Sequence, residues 1–231
     1  MDRRFAPDFL LSRVLHRDGL MLVINKPAGL PVHAGPGGGN NLEQYFDALR
    51  FGLPRPPALA HRLDRDTSGC LILGRHPKAL RKLGRLFQDG RIEKTYLAIC
   101  RGAPASASGA IEAPLSKRAH GKGWRVEIAP DGQPAKTTYR TLATQDDLCI
   151  IEAKPKTGRT HQIRVHLASI GAPIIGDPQY GMLSADDRLE PMMLHAARVV
   201  IPISPSKAPV TVTAPPPPHI EAILDQGGAR A

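Results

Sequence analysis

Short apolar runs, each closed by a turn signal, recur along most of the chain, and this rhythm constrains the fold more than any other feature. Leu20–Asn25 is a β-branched run that stops at Lys26-Pro27, the pattern of a buried strand. Leu59–Leu63, Cys70–Arg75, Glu93–Arg101, Ala110–Ala113, Trp124–Ala129, Lys136–Thr144, Leu148–Lys154, Met193–Pro202 and Val210–Ala214 read as further strands. Gly and Pro account for 22 and 23 of the 231 residues, well above their average share of about 12%, as many turns between short strands require. Helical patterns are fewer. Asn40 or Asn41 is placed to cap a helix through about Arg50, with Glu43 positioned for a capping box. Pro77–Phe87 puts Leu80, Leu83 and Phe87 on one face and Arg81, Lys82 and Arg85 away from it, with Gly90 beyond the end. Thr160–Ser169 and Ile220–Asp225 are shorter helices. The expected architecture is α+β: a single domain, 1–231 with its core at about 20–218, in which helices pack on a large, mainly antiparallel mixed sheet.

Composition narrows the function classes. Lys and Arg number 31 against 21 Asp and Glu, a net charge of +10. A strongly basic soluble domain points to a polyanionic partner, most often nucleic acid. The three cysteines, Cys70, Cys100 and Cys149, form no CxxC pair and sit inside apolar runs, as reduced core thiols of a cytoplasmic protein do. The N-terminus has neither an adequate apolar segment nor a small-residue cleavage site, and no run approaches the length of a transmembrane helix.

Several catalytic signatures are absent. Gly35–Gly39 (GPGGG) is followed by no Gly-Lys-Ser/Thr and is not a Rossmann fingerprint. The nine histidines contain no HExxH, and His161 and His166 are badly spaced for a helical metal pair, so no metal site is expected. There is no G-x-S-x-G elbow. Two dense polar clusters remain. His61-Arg62-Leu63-Asp64-Arg65-Asp66-Thr67-Ser68-Gly69 lies between two apolar runs, and Lys156 to Arg164 (KTGRTHQIR) enters a helix. Each taken alone also fits an ordinary turn or a solvated helix start.

Together they resemble a known family. HRLDRDTSGCLIL at 61–73 is similar to the signature of the RluA-type pseudouridine synthases. In matching order come NKPAGLPVH (25–33), KTYLA (94–98), TGRTHQIRVHLASIGAPIIGDPQYG (157–181) and LHA (194–196). The resemblance implies a pseudouridine synthase-like fold and isomerisation of uridine in ribosomal or transfer RNA, with neither cofactor nor metal. It matches Asp64 to the essential aspartate and Tyr96 to the active-site tyrosine. It matches Arg164 to the basic residue that pairs with the aspartate, and Ile163 to the apolar residue of the base pocket. Two positions depart from the pattern: Cys70 stands where Leu is usual, and Ala34 where Pro is commoner. Many relatives carry an S4 RNA-binding module; none is expected here, so RNA contact falls to the catalytic domain.

The residue types suit that chemistry. Breaking a nucleoside C–N bond builds oxocarbenium character, which an ionised carboxylate stabilises or attacks; abstraction of the 2′ proton by the same group is the other route. A nearby Arg164 favours the charged form of Asp64. The target base must leave its stack, and Tyr96 with Ile163 suits a flipped pyrimidine. If Leu59–Asp64 is a strand, Arg62 shares a face with Asp64. Arg62 then either joins an ion pair or contacts the RNA around the vacated stack, and the second role is the one expected. Lys117, Arg118, Lys122 and Arg125 are the expected RNA-binding cations, and the helix face bearing Arg81, Lys82 and Arg85 is a further candidate. Oligomeric state is not legible; a monomer is expected. Two competing readings are a non-catalytic RNA-binding protein on the same fold, and a hydrolase using Asp64 and Asp66 as paired carboxylates.

Overall fold

The computed structural model describes residue 6 and residues 8–35, 38–121, 123–181 and 190–226. In chain order the elements are strands β1 (Val14–Arg17), β2 (Met21–Lys26), β3 (Ala58–Leu59) and β4 (Ser68–Gly74), then helix α1 (Pro77–Gln88). Strands β5 (Glu93–Arg101), β6 (Ser108–Glu112), β7 (Leu115–His120), β8 (Gly123–Ile128), β9 (Lys136–Gln145) and β10 (Leu148–Pro155) follow. Helix α2 (Gln162–Ser169), strands β11 (Leu194–Ile201) and β12 (Val210–Thr213) and helix α3 (Pro218–Gln226) complete the chain. The fold is α+β, and its strand ladders are predominantly antiparallel. It forms two compact units: one from residues up to Glu93 together with Ala196–Pro215, the other from Lys94–His195 with Pro216 onward.

In the first unit β1, β2 and β4 pair antiparallel, β3 adds two residues to β4, and β12 pairs with β11. Met21, Val23, Cys70 and Ile72 from the sheet meet Leu83 and Leu86 from α1, and Val199, Ile201 and Val212 from the returning strands. Full burial of each such aliphatic side chain contributes about 1.5–3 kcal/mol. Helix α1 forms where the sequence signals it. His76 accepts a hydrogen bond from the Ala79 amide through Nδ1 (3.1 Å), Pro77 opens the first turn, and Gly90 at φ +64° follows the last. Its buried stripe is Ala79, Leu83 and Leu86; Leu80 and Phe87, expected on that face, are half-buried flanks, while Arg81, Lys82 and Arg85 are exposed. The expected helix after Asn41 is a 3₁₀ helix, Leu42–Leu49, and Asn41 makes no side-chain cap. Its amide instead donates to the Gly39 carbonyl (3.1 Å), so the capping box does not form.

In the second unit β5, β10, β9 and β6 pair in that order, all antiparallel. The register sets Tyr96 opposite Ala153. Lys117, Arg118 and Arg125 lie on the β7–β8 hairpin, with Lys117 opposite Val126 and Arg118 opposite Arg125; β7 is not among the expected strands, whereas β8 overlaps the expected Trp124–Ala129. Leu115 and Val126 from the hairpin pack with Ala135, Val165 and Tyr180, which joins the hairpin to α2.

Candidate active site

The Asp64 segment departs from the expected strand. Regular pairing stops at Leu59, and the His61 ring supplies the reason: its Nε2 accepts the Ile72 amide hydrogen (3.0 Å), a donor that a continuing strand would have bonded through its backbone. The alternation that would have set Arg62 and Asp64 on one face therefore does not apply. Arg62 is exposed, with Nη1 3.5 Å from His33 Nε2, and among the described residues it makes no ion pair.

Asp64 is half-buried and opens a tight turn, closed by the Thr67 amide on the Asp64 carbonyl (3.3 Å). Lys26 braces this turn from inside the unit. Its ammonium, fully buried, donates to the Pro27 and Arg65 carbonyls at 2.7 and 2.8 Å. Burial pulls the Lys26 pKa down to about 7, against the opposing pull of the Asp66 and Asp64 carboxylates. The turn passes directly into β4, whose second residue, Gly69, has a φ of +107° that suits glycine. A Cβ there would lie 2.3 Å from the Ala196 carbonyl oxygen, so any side chain at this position is strained and crowded.

The second cluster is built around α2. The helix starts at Gln162, two residues later than expected, because His161 is left-handed at φ +53°. Gln162 organises the entry. Its Oε1 accepts from the Thr157 hydroxyl (2.6 Å) and the Arg159 amide (3.0 Å), and its Nε2 donates to the Lys136 carbonyl and Thr137 Oγ1 (both 3.0 Å). Ile163 and Arg164 are both buried. Arg164 presents Nε and Nη2 to the two carboxylate oxygens of Asp177, each at 2.7 Å. Asp177 Oδ1 also accepts the Gln179 and Tyr180 amides (2.9 and 3.1 Å). The Tyr180 hydroxyl accepts the Val126 amide of the hairpin (3.0 Å) and lies 2.9 Å from His161 Nδ1, while its ring centroid is 5.1 Å from the Arg164 guanidinium. Tyr96 is buried on β5.

The expected RNA-binding cations are differently engaged. Lys117 Nζ stands 4.0 Å from the centroid of the Trp124 ring. Arg118 is exposed but paired with Asp131 (2.5 Å) and Glu127 (3.6 Å). Arg125 is half-buried, with its guanidinium 4.9 Å from the Tyr180 ring. Lys122 lies outside the described residues. Thus Asp64 and Arg62 belong to the first unit, and Tyr96, Ile163, Arg164 and the hairpin cations to the second. Among the described residues no group of three His, Cys, Asp or Glu side chains could hold a metal ion, and no helix is long and apolar enough to cross a membrane.

Three residues escaped sequence reasoning: Lys26, Asp177 and Tyr180. Each lies in a quoted block, NKPAG or GDPQYG. The signals available were a charged residue closing a buried strand, and an acid followed three residues later by an aromatic.

With this geometry in place, comparison with known proteins identifies the class. A family model described as RNA pseudouridylate synthase matches residues 20–169. A Zymomonas mobilis protein named as an RNA pseudouridine synthase is 44% identical over 220 residues, covering 94% of this chain and 98% of that protein. The ribosomal large subunit pseudouridine synthase C of Haemophilus ducreyi is 36% identical over 221 residues, covering 93% of this chain and 69% of that one. The solved structure of human RNA pseudouridylate synthase domain containing 4 superposes with a TM-score of 0.80 at 27% identity, covering 95% of this chain and 94% of that chain. The chain belongs to the RNA pseudouridylate synthase family, in its RluA-type branch. It is accordingly an isomerase that acts on uridine in RNA.

Proposed function

We propose that Asp64 is the catalytic carboxylate of this isomerase and that its substrate is a uridine in structured ribosomal or transfer RNA, met in the cytoplasm. The bond from C1′ to N1 breaks, the freed uracil turns, and C5 joins C1′. The C5 proton leaves to solvent and N1 gains one, so the RNA keeps its mass. The ionised Asp64 carboxylate either attacks C1′ or removes the 2′ proton. Tyr96 and Ile163 are assigned to the extruded base and Arg164 to the electrostatics of the reacting carboxylate. Lys117, Arg118, Lys122 and Arg125 are assigned to the RNA backbone. The whole chain is read as one catalytic domain.

The observation that carries this reading is the Asp64 turn. A half-buried carboxylate sits on a segment pinned by a fully buried lysine and a steric glycine, inside the stretch that matches the family. Catalysis requires this kind of preorganisation. Arg62, exposed and without an ion pair among the described residues, fits a role in RNA contact around the vacated stack. Site-resolved pseudouridine mapping of RNA from cells with and without the gene is the test. Loss of pseudouridine at discrete ribosomal or transfer RNA positions supports the reading, and an unchanged map refutes those substrates. Release of free uracil from RNA by the purified protein would return the paired-carboxylate hydrolase.

A further inference from the structure

The second unit contains a cleft of about 290 Å³ between the β7–β8 hairpin and the segment leading into α2, near the low end of the ~300–1,000 Å³ typical of small-molecule sites. Ser116, Lys117, Gln133, Arg159 and Thr160 contribute to its lining. Arg159 is held by one bond, from Nε to the Pro134 carbonyl (3.1 Å), which leaves the outer edge of its fork unused. Among the described residues neither its Nη groups nor the Lys117 ammonium has a carboxylate partner, and the side chains of Ser116, Gln133 and Thr160 make no hydrogen bond. The acidic group in the lining, Asp131, is already paired with Arg118, so it does not cancel the two free cations. Lys117 is further preset by its position over Trp124, and Trp124 is itself stacked on His161 with centroids 5.1 Å apart.

Two unopposed cations and three unused polar side chains around a cavity of this size match a phosphodiester with its sugar and base edge. We propose that this cleft is a subsite for one unpaired nucleotide of the RNA strand outside the target uridine. Lys117 and Arg159 hold its phosphate, and Ser116, Gln133 and Thr160 face its sugar and base. Arg159 supplies the planar, bidentate recognition that suits phosphate. The inference deepens the RNA reading: it gives Arg159, which lies within the KTGRTHQIR run, a role of its own beside Lys117 and adds a cavity to the RNA-contacting surface. A subsite on the hairpin gives the enzyme a purchase on sequence next to the target, as single-stranded RNA recognition generally uses.

The test uses the full chain, isotope-labelled, titrated with a uridine-free trinucleotide so that no substrate base competes. The amides of Gly132, Gln133, Gly158 and Thr160 are expected to shift together and saturate. Arg159→Ala and Lys117→Gln should each weaken the trinucleotide by fivefold or more with an unchanged thermal midpoint. Inorganic phosphate should shift the same amides at tenfold or more lower affinity. Failure of those amides to respond overturns the subsite, as does trinucleotide binding that both variants leave intact. Equal affinity for phosphate and trinucleotide reduces the site to an anion site and overturns the nucleotide assignment. Tritium release from uridine-labelled RNA by the same wild-type sample separates the two readings, because isomerisation with a silent cleft sinks only the subsite.

Discussion

Arg164 and Asp177 form a two-bond ion pair with side-chain exposures of 7% and 0%, and the carboxylate is further capped by two backbone amides. Removing one partner of such a pair takes the two-bond counter-charge away from a buried ionised group, which is strongly destabilising. Asp177→Ala is therefore expected to destabilise the protein by about 3–5 kcal/mol, read as a lowered urea midpoint. Arg164→Met together with Asp177→Leu should recover part of that loss. A single variant as stable as wild type would show that the pair is not desolvated as described.

The same pair shows where sequence reading stops. The strands β2, β4, β5, β10 and β11 are legible because turn signals flank them and their interiors are mainly apolar. Helix α1 is legible because Pro77 and Gly90 bracket it. Strand β7 is not, since LSKRAH places only Leu115 in a core and owes its register to backbone pairing with β8. The end of β3 is decided by a side chain, His61, taking a ladder donor, and no propensity encodes that. Asp64, Tyr96 and Arg164 are read from a family pattern, whereas Asp177, which Arg164 bonds, is a loop residue 13 positions away with no periodic signal. The Lys26 ammonium likewise reaches a carbonyl 39 residues along the chain.

Lys26 yields a pH-dependent prediction. Its folded-state pKa, about 7, lies below the ordinary value of 10.5. Between those limits the unfolded chain binds the extra proton, so this group's contribution to stability is present above the unfolded pKa and is lost as pH falls through about 7. Relative to Lys26→Met, wild type should gain stability from pH 7 to pH 10, with a slope of up to about 1.4 kcal/mol per pH unit. Parallel stability curves for the two proteins would contradict the buried, pKa-lowered ammonium. The variant should also lose tenfold or more in kcat, because the Arg65 carbonyl no longer anchors the turn that carries Asp64.

Gly69→Ala combines an unfavourable φ with a Cβ driven to 2.3 Å from the Ala196 carbonyl oxygen. The expected cost is about 2–4 kcal/mol from backbone strain and overpacking. Thermal denaturation checks it, and a change below 0.5 kcal/mol would show that β4 and β11 separate more easily than their packing implies.

Arg62→Ala separates RNA contact from structural support. An exposed arginine without an ion pair should be removable with little change in thermal midpoint. Its loss should reduce activity at least tenfold more on a structured stem-loop than on an RNA whose uridine is already unpaired. Equal losses on both substrates would remove the base-extrusion role.

The central claim is tested most directly by single-turnover tritium release from RNA labelled at uridine C5, comparing wild type with Asp64→Asn at matched RNA occupancy. The amide is nearly isosteric, so fold and RNA affinity are expected to persist while the rate falls by four or more orders of magnitude, about 5.5 kcal/mol of transition-state stabilisation. A variant that binds RNA and releases tritium within tenfold of the wild-type rate would contradict the assignment of Asp64 as the catalytic carboxylate.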